Sequence, residues 1–184
     1  MDTCSDRVIA LFKTMINSRK ARLFLFFCWI LTGRLQSQQT SSDAWIKQYK
    51  AVMDGVAKSW VQKDYAKALD GLNSARSLLS YNMPFPTDIY AWRMVRALKT
   101  YTLVMTRLIE VDLYIERKDS QHVIQLSTQA QEWANTLNEQ GEDWNRVFTQ
   151  NQDEIFLRAE WLDRFQKSID RARKLYTRIQ QHQK

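Results

Sequence analysis

The segment Lys63-Asp-Tyr-Ala-Lys-Ala-Leu-Asp-Gly-Leu-Asn-Ser-Ala75 contains a turn and the start of a helix. From Tyr65 onward, apolar or small residues recur every three or four positions, which predicts one buried helix face running to about Ser80. The same periodicity precedes the Lys63-Asp64 pair, at Trp45, Tyr49, Val52, Val56 and Trp60. Because the connection is so short, the two predicted helices should be antiparallel neighbours.

A third helix is predicted after Pro84 and Pro86, which cannot lie inside a helix. It should run from Asp88 to about Arg117, with an N-cap from the start of that segment. Its middle part is apolar nearly all round rather than on one face. A helix of this kind needs several packing neighbours, so we place it at the centre of the fold.

Two more helices complete the prediction. The fourth should begin at Lys118-Asp119 and end at Gly141, and the fifth should follow residues 149–154 and continue almost to the C-terminus. The 184-residue chain has only four glycines and two prolines, a composition typical of helices joined by short turns. The predicted fold class is all-α, with about five antiparallel helices and a long C-terminal helix.

A weak internal repeat has an offset of 55 residues, because Lys63-Asp64 recurs as Lys118-Asp119 and is followed by similar small and aliphatic residues. The first copy, with Tyr65 after the aspartate, resembles the turn and second helix of a tetratricopeptide repeat. Both copies have lysine where that family has glycine, and the second has Ser120 in place of the aromatic residue. The resemblance implies tetratricopeptide-like hairpins that present a concave groove to protein or peptide partners.

Two glycines lie symmetrically about the first turn, Gly55 eight residues before Lys63 and Gly71 eight residues after it. In an antiparallel hairpin they should sit at the same height. Glycine costs a helix about 1 kcal/mol relative to alanine, so a close approach of the two helices would explain why it is tolerated there.

The N-terminal region has the order of an export signal. Three basic residues between positions 19 and 22 precede the apolar run from Leu23 to Leu31, which is too short to span a bilayer. We therefore interpret residues 1–37 as a leader, 38–43 as a flexible tether and 44–184 as the helical domain, which is exported to the periplasm or cell envelope. Both cysteines lie in the leader, so the domain can form no disulfide or thiolate site. We also expect no transmembrane span in the domain.

The net charge of +7 is concentrated at the two ends of the chain. Residues 38–157 carry 13 basic and 15 acidic residues, so a specific nucleic-acid footprint is not expected. In the last predicted helix, five cations recur every three or four residues and should form a basic stripe: Arg164, Lys167, Arg171, Lys174 and Arg178. We predict that this stripe binds the partner, together with Trp144, whose polar neighbours suggest partial exposure.

No arrangement of residues predicts catalysis, a metal site or a cofactor. The two histidines, His122 and His182, are far apart, and no zinc, phosphate-loop or nucleophile-elbow motif is present. The leading hypothesis is a non-catalytic protein-interaction module or assembly subunit. Two alternatives stay open: a peripheral binder of anionic membrane or polyanion that uses the basic helix, and an unrecognised enzyme with convergent carboxylates in a deep pocket.

Overall fold

The structure is a computed structural model that describes residues 44–81, 89–147 and 152–181, with side chains in the last range from residue 157 onward. Five helices cover these residues: α1 (44–61), α2 (Tyr65–Tyr81), α3 (Ile89–Glu116), α4 (Ser120–Asn145) and α5 (Gln152–Gln181). No strand occurs in these ranges. The all-α prediction of about five helices is therefore confirmed.

The chain divides into two compact units, Met1–Ile46 and Lys47–Lys184. The predicted leader and tether, and the segment containing both prolines, lie outside the described residues. The second unit holds α2 to α5 and most of α1.

Helix α3 lies at the centre, as its wide apolar surface predicted. It packs against α2, α4 and α5, and the buried Tyr49 hydroxyl of α1 donates a hydrogen bond to the Leu98 carbonyl at 3.2 Å. Thirteen residues from every side of α3 are buried, and they include three threonines. The hydroxyl groups of Thr102 and Thr106 donate to backbone carbonyls one turn earlier, so burying them leaves no unpaired donor.

Aromatic side chains join α1, α3 and α5 in the interior. The ring of Trp161 on α5 lies 5.4 Å from that of Tyr49 on α1 and 5.9 Å from that of Tyr101 on α3. Phe165 adds a further ring contact with Tyr101 at 5.3 Å. Burial of this kind raises the pKa of Tyr101 to about 12. Helix α5 thus contacts α1 as well as α3 and α4.

The two turns of the internal repeat have the same backbone geometry. Lys63 and Lys118 both adopt the left-handed conformation, with φ of 62° and 58°. In each turn the lysine and the following aspartate donate backbone hydrogen bonds to the end of the preceding helix, a pairing that satisfies its last carbonyls. Each aspartate, Asp64 and Asp119, then caps the next helix by accepting the backbone N–H three residues on.

Helix α4 does not end at Gly141, so that prediction is wrong. No described glycine has a positive φ, and the helix continues to Asn145. The additional turn keeps Trp144 in phase with the buried positions Ala134 and Leu137, so its side chain is 0% exposed rather than partly exposed. The polar neighbours that suggested exposure occupy the opposite face of the same turn.

Not every tryptophan belongs to the core. Trp161 is fully buried, but Trp133 is 36% exposed because it lies at the edge of the buried face of α4 rather than at its centre. Trp60 and Trp92 are half-buried, and each lies beneath a guanidinium group, that of Arg171 at 3.8 Å and that of Arg96 at 5.5 Å.

The two glycines near the first turn do not face each other. A Cβ on Gly55 would meet nothing within 4 Å, whereas a Cβ on Gly71 would lie 2.7 Å from Cγ2 of Val56. Only Gly71 therefore marks a close approach, and its neighbour is a buried valine of α1. Helical phase explains the error, because equal distance from a turn fixes a residue's height but not the direction in which it points.

Candidate partner-binding surface

The predicted basic stripe follows α5, but its first member is held inside a network of ion pairs. Arg164 donates to Asp54 of α1 at 2.8 Å and to Glu160 at 3.0 Å. Its guanidinium also lies 5.0 Å from the centre of the Trp161 ring. Burial opposes the charged form, but the hydrogen bond and charge of Asp54 outweigh it and raise the pKa of Arg164. This residue joins helices rather than presenting a free charge.

Two more members of the stripe are also paired. Lys167 contacts Asp163 one turn earlier at 2.6 Å. Arg171 donates to Asp112 of α3 at 2.8 Å while stacking on the Trp60 ring, and the Trp60 indole N–H donates to the same carboxylate at 2.8 Å. Three of the five positive charges predicted for the stripe are therefore paired with carboxylates. Asp54 and Asp112, the partners of Arg164 and Arg171, come from helices remote in sequence.

Lys174 and Arg178 form the free end of the stripe. Both side chains are exposed, and neither makes a salt bridge with any residue in the described part of the chain. They line a groove of about 600 Å³ between α3 and α5, in which Ile115 and Leu175 supply apolar surface. Positive charge beside exposed apolar surface is a combination suited to a binding partner.

A second pocket of about 300 Å³ adjoins this groove and shares Ile115 with it. The pocket lies against the α3–α4 turn, and Ile115, one of its walls, is 48% exposed. A small apolar cluster of Val111, Val123 and Leu126 lies beside it, with Ile179 of α5 packed on the cluster. Eight residues line the pocket: Tyr114, Ile115, Lys118, Asp119, Ser120, Val123, Ile124 and Ile179.

The turn beside this pocket is held by a local polar cluster. Asp119 accepts the backbone N–H of His122 at 3.2 Å and contacts its ring nitrogen at 2.6 Å. The backbone hydrogen bond is the main reason that the pKa of Asp119 is lowered. The His122 ring stacks on the Tyr114 ring at 4.7 Å, and the Arg117 guanidinium lies over the Tyr114 ring at 5.5 Å. The sequence alone did not predict these contacts of His122.

The corresponding part of the first turn is closed by contacts to α3. Lys63 forms a salt bridge with Glu116 at 2.8 Å, and the Tyr65 hydroxyl donates to the same carboxylate at 3.1 Å. These hydrogen bonds, that of Lys63 first, lower the pKa of Glu116. The side chain of Tyr65 is only 9% exposed.

The residues that the structure describes contain no group of three or more histidine, cysteine, aspartate or glutamate side chains placed to hold a metal ion. None of the helices in these ranges has a stretch apolar and long enough to cross a bilayer. Trp144, the remaining predicted contact residue, is enclosed by the rings of Tyr90 and Phe165 at 6.0 and 6.1 Å, so it is not part of this surface.

Comparison with protein-family models, curated proteins and solved structures gave no match. The function therefore has to be inferred from the residues of this chain.

Proposed function

We propose that the chain is an exported, non-catalytic helical module that binds an acidic protein partner through the free end of its basic stripe. The observation that carries this proposal is the division of the stripe. Arg164, Lys167 and Arg171 are each paired with a carboxylate, whereas Lys174 and Arg178 have no acidic partner within the described residues. Exposed cations without intramolecular partners favour association with an acidic surface.

A protein partner is favoured over a lipid surface by the composition of the groove. Besides the two free cations, it contains the apolar side chains of Ile115 and Leu175 and the carboxylates of Asp112 and Asp170. Such alternation of charge and apolar surface suits a partner of defined shape, whereas a bilayer surface requires only positive charge. The repeated hairpin turn is also in keeping with a tetratricopeptide-like architecture, which commonly serves protein binding.

Export is proposed from the sequence of the leader alone. The protein recovered from its own host should lack about 33 to 42 N-terminal residues and should be found outside the cytoplasm. Intact-mass measurement of an uncut chain from the cytoplasmic fraction would reject this part of the proposal.

The binding proposal is tested by affinity capture from the envelope fraction with Lys174→Glu and Arg178→Glu combined. We expect capture of the partner to fall by about tenfold or more, most strongly at low salt. Helical content and melting temperature should stay close to those of the parent, because neither side chain makes a salt bridge within the described residues.

The matched control reverses Lys58 and Lys67, two exposed lysines of α1 and α2. It changes the net charge equally but lies outside the groove, so capture should be unchanged. Equal loss in both double variants would indicate a non-specific charge effect and would contradict the proposed surface. Sedimentation with anionic lipid vesicles tests the alternative: binding to vesicles that the groove variant abolishes, without any captured protein, would favour the membrane.

A further inference from the structure

The two turns of the repeat have the same backbone geometry, but they differ in the side chain that follows the capping aspartate. Tyr65 and Ser120 each follow the capping aspartate and begin the next helix. At the first turn the phenol ring is buried against α3, and its hydroxyl reaches Glu116. At the second turn the serine is exposed, and the pocket of about 300 Å³ lies beside it.

The pocket therefore lies at the turn where serine stands at the repeat position that the first turn fills with tyrosine. Its walls are largely apolar, with Ile115, Val123 and Ile124 from the hairpin and Ile179 from α5. A pocket of this size is at the lower end of the range for ligand sites and has room for one aromatic side chain. The chain itself places no described side chain there.

The second turn also lacks the carboxylate that the first turn has. Lys63 is paired with Glu116 at 2.8 Å, but Lys118, at the equivalent position, makes no salt bridge among the residues that the structure describes. Asp119 also lines the pocket, but its carboxylate is engaged by His122. Cations without a salt bridge in the described residues thus lie at the edge of the pocket, at Lys118, and in the adjoining groove, at Lys174 and Arg178.

We propose that this pocket binds a segment of the protein partner in which an aromatic side chain stands next to carboxylates. The ring takes the place that Tyr65 fills at the first turn, and a carboxylate takes the place of Glu116 beside the lysine. The inference rests on the proposed function and specifies the kind of partner segment that the basic surface would receive. Apolar burial supplies an anchor, and the three cations select acidic neighbours.

Three capped pentapeptides with a fluorescent label test the chemistry of the segment on the full-length chain. Glu-Glu-Phe-Glu-Glu supplies both features, Glu-Glu-Ala-Glu-Glu lacks the ring and Lys-Lys-Phe-Lys-Lys lacks the carboxylates. We expect anisotropy titrations to show binding of the first peptide, with the other two weaker by about tenfold or more. If the first peptide fails to bind, the proposal is wrong.

Two substitutions test the pocket itself. Ser120→Tyr should fill it from within, raising the melting temperature and weakening the Glu-Glu-Phe-Glu-Glu complex by about tenfold or more. Ser74→Tyr, the same change at an exposed serine of α2 that does not line the pocket, should leave binding intact. The helix propensities of serine and tyrosine are similar, so a rise would report packing. In the opposite direction, Tyr65→Ser should open the first turn and lower the melting temperature.

The outcomes separate this inference from the proposed function. If the two acidic peptides bind equally and Ser120→Tyr has no effect on them, the pocket does not select a ring, although the basic surface still binds acidic segments. If Lys174→Glu with Arg178→Glu leaves partner capture unchanged, the proposed function itself fails. A lower melting temperature for Ser120→Tyr would show that the pocket is not shaped for an aromatic side chain.

Discussion

Gly71 and Gly55 both lie inside helices, but only Gly71 is in close contact with a neighbouring helix. The side chain of Val56, which is stiff and buried, would meet a new Cβ on Gly71 at 2.7 Å, while Gly55 faces open space. Replacing each glycine by alanine therefore separates helix propensity from packing at two positions in one hairpin.

We expect Gly55→Ala to stabilise the protein by about 0.5–1 kcal/mol, because alanine restricts the unfolded chain and favours the helix. Gly71→Ala should destabilise it, since overpacking costs about 1–3 kcal/mol and exceeds that gain. Gly71→Leu should cost more. Free energies of unfolding from urea titrations should show the increase for Gly55→Ala and the decrease for Gly71→Ala. Stabilisation by Gly71→Ala would mean that α1 and α2 separate there without cost.

At the same scale, the surroundings of Trp144 differ from those that the sequence suggested. Local polarity around Trp144 indicated exposure, but helical phase buries it. The burial of Trp144 follows from helical phase only if α4 continues through Gly141, and the sequence did not show that this glycine lies inside the helix. A Cβ on Gly141 would lie 3.5 Å from Cδ2 of Phe165 and 3.6 Å from Cδ2 of Leu162, both on α5. No signal of that contact exists in the local sequence.

At the scale of the elements, both helix hairpins are connected by a lysine with positive φ. The left-handed conformation costs a side-chain-bearing residue about 1–2 kcal/mol, which is why glycine is preferred at this position. The aspartate that follows each lysine offsets part of this cost by capping the next helix. The turns therefore keep their geometry without the usual residue.

Lys118→Gly should stabilise the chain by about 0.5–1 kcal/mol, because glycine removes the steric cost of the left-handed conformation. The greater conformational entropy of glycine in the unfolded chain offsets part of this gain. Lys63→Gly should gain less, since it also removes the Lys63–Glu116 salt bridge. Thermal melts of the two variants beside the parent measure the difference. If Lys118→Gly melts lower than the parent, the turn is held by the lysine side chain and not by its backbone.

The elements also show which ion pairs a sequence can predict. Lys167–Asp163 and Arg164–Glu160 follow from a spacing of four residues on one helix. Arg164–Asp54 and Arg171–Asp112 join different helices, so no spacing rule could find them. They shape the character of the surface, because they pair two of the five predicted cations. With Lys167 paired to Asp163, Lys174 and Arg178 are left as its free end.

At the scale of the unit formed by residues 47–184, α5 is tied to α1 by polar contacts as well as by aromatic rings. Glu160 accepts hydrogen bonds from Lys50 of α1 at 2.8 Å and from Arg164 at 3.0 Å. The Lys50 hydrogen bond is the main cause of the lowered pKa of Glu160, and burial partly opposes it. A carboxyl whose pKa is lower in the folded state binds its proton first in the unfolded state.

The contribution of Glu160 to stability should therefore be present above its ordinary pKa and lost as the pH falls through its lower folded value. Urea titrations at about pH 5 and about pH 3 should show a smaller loss of stability for Glu160→Gln than for the parent. Glu132→Gln, at an exposed site of α4 outside every salt bridge found among the described residues, should behave as the parent does. Identical losses in all three proteins would show that the α1–α5 link has no effect on acid stability.

The sequence by itself determined the number of helices, most of their limits, the central place of α3 and the two turns, because these follow from local capping and from the spacing of apolar residues. Only the tertiary structure decided which cations stay free, that Trp144 is buried, and that a pocket lies beside Ser120. Each of these depends on which residues of remote helices meet, and in particular on the contact of α5 with α1 and α3. Helical periodicity fixes the face on which a residue lies, but it contains no information about what is packed against that face.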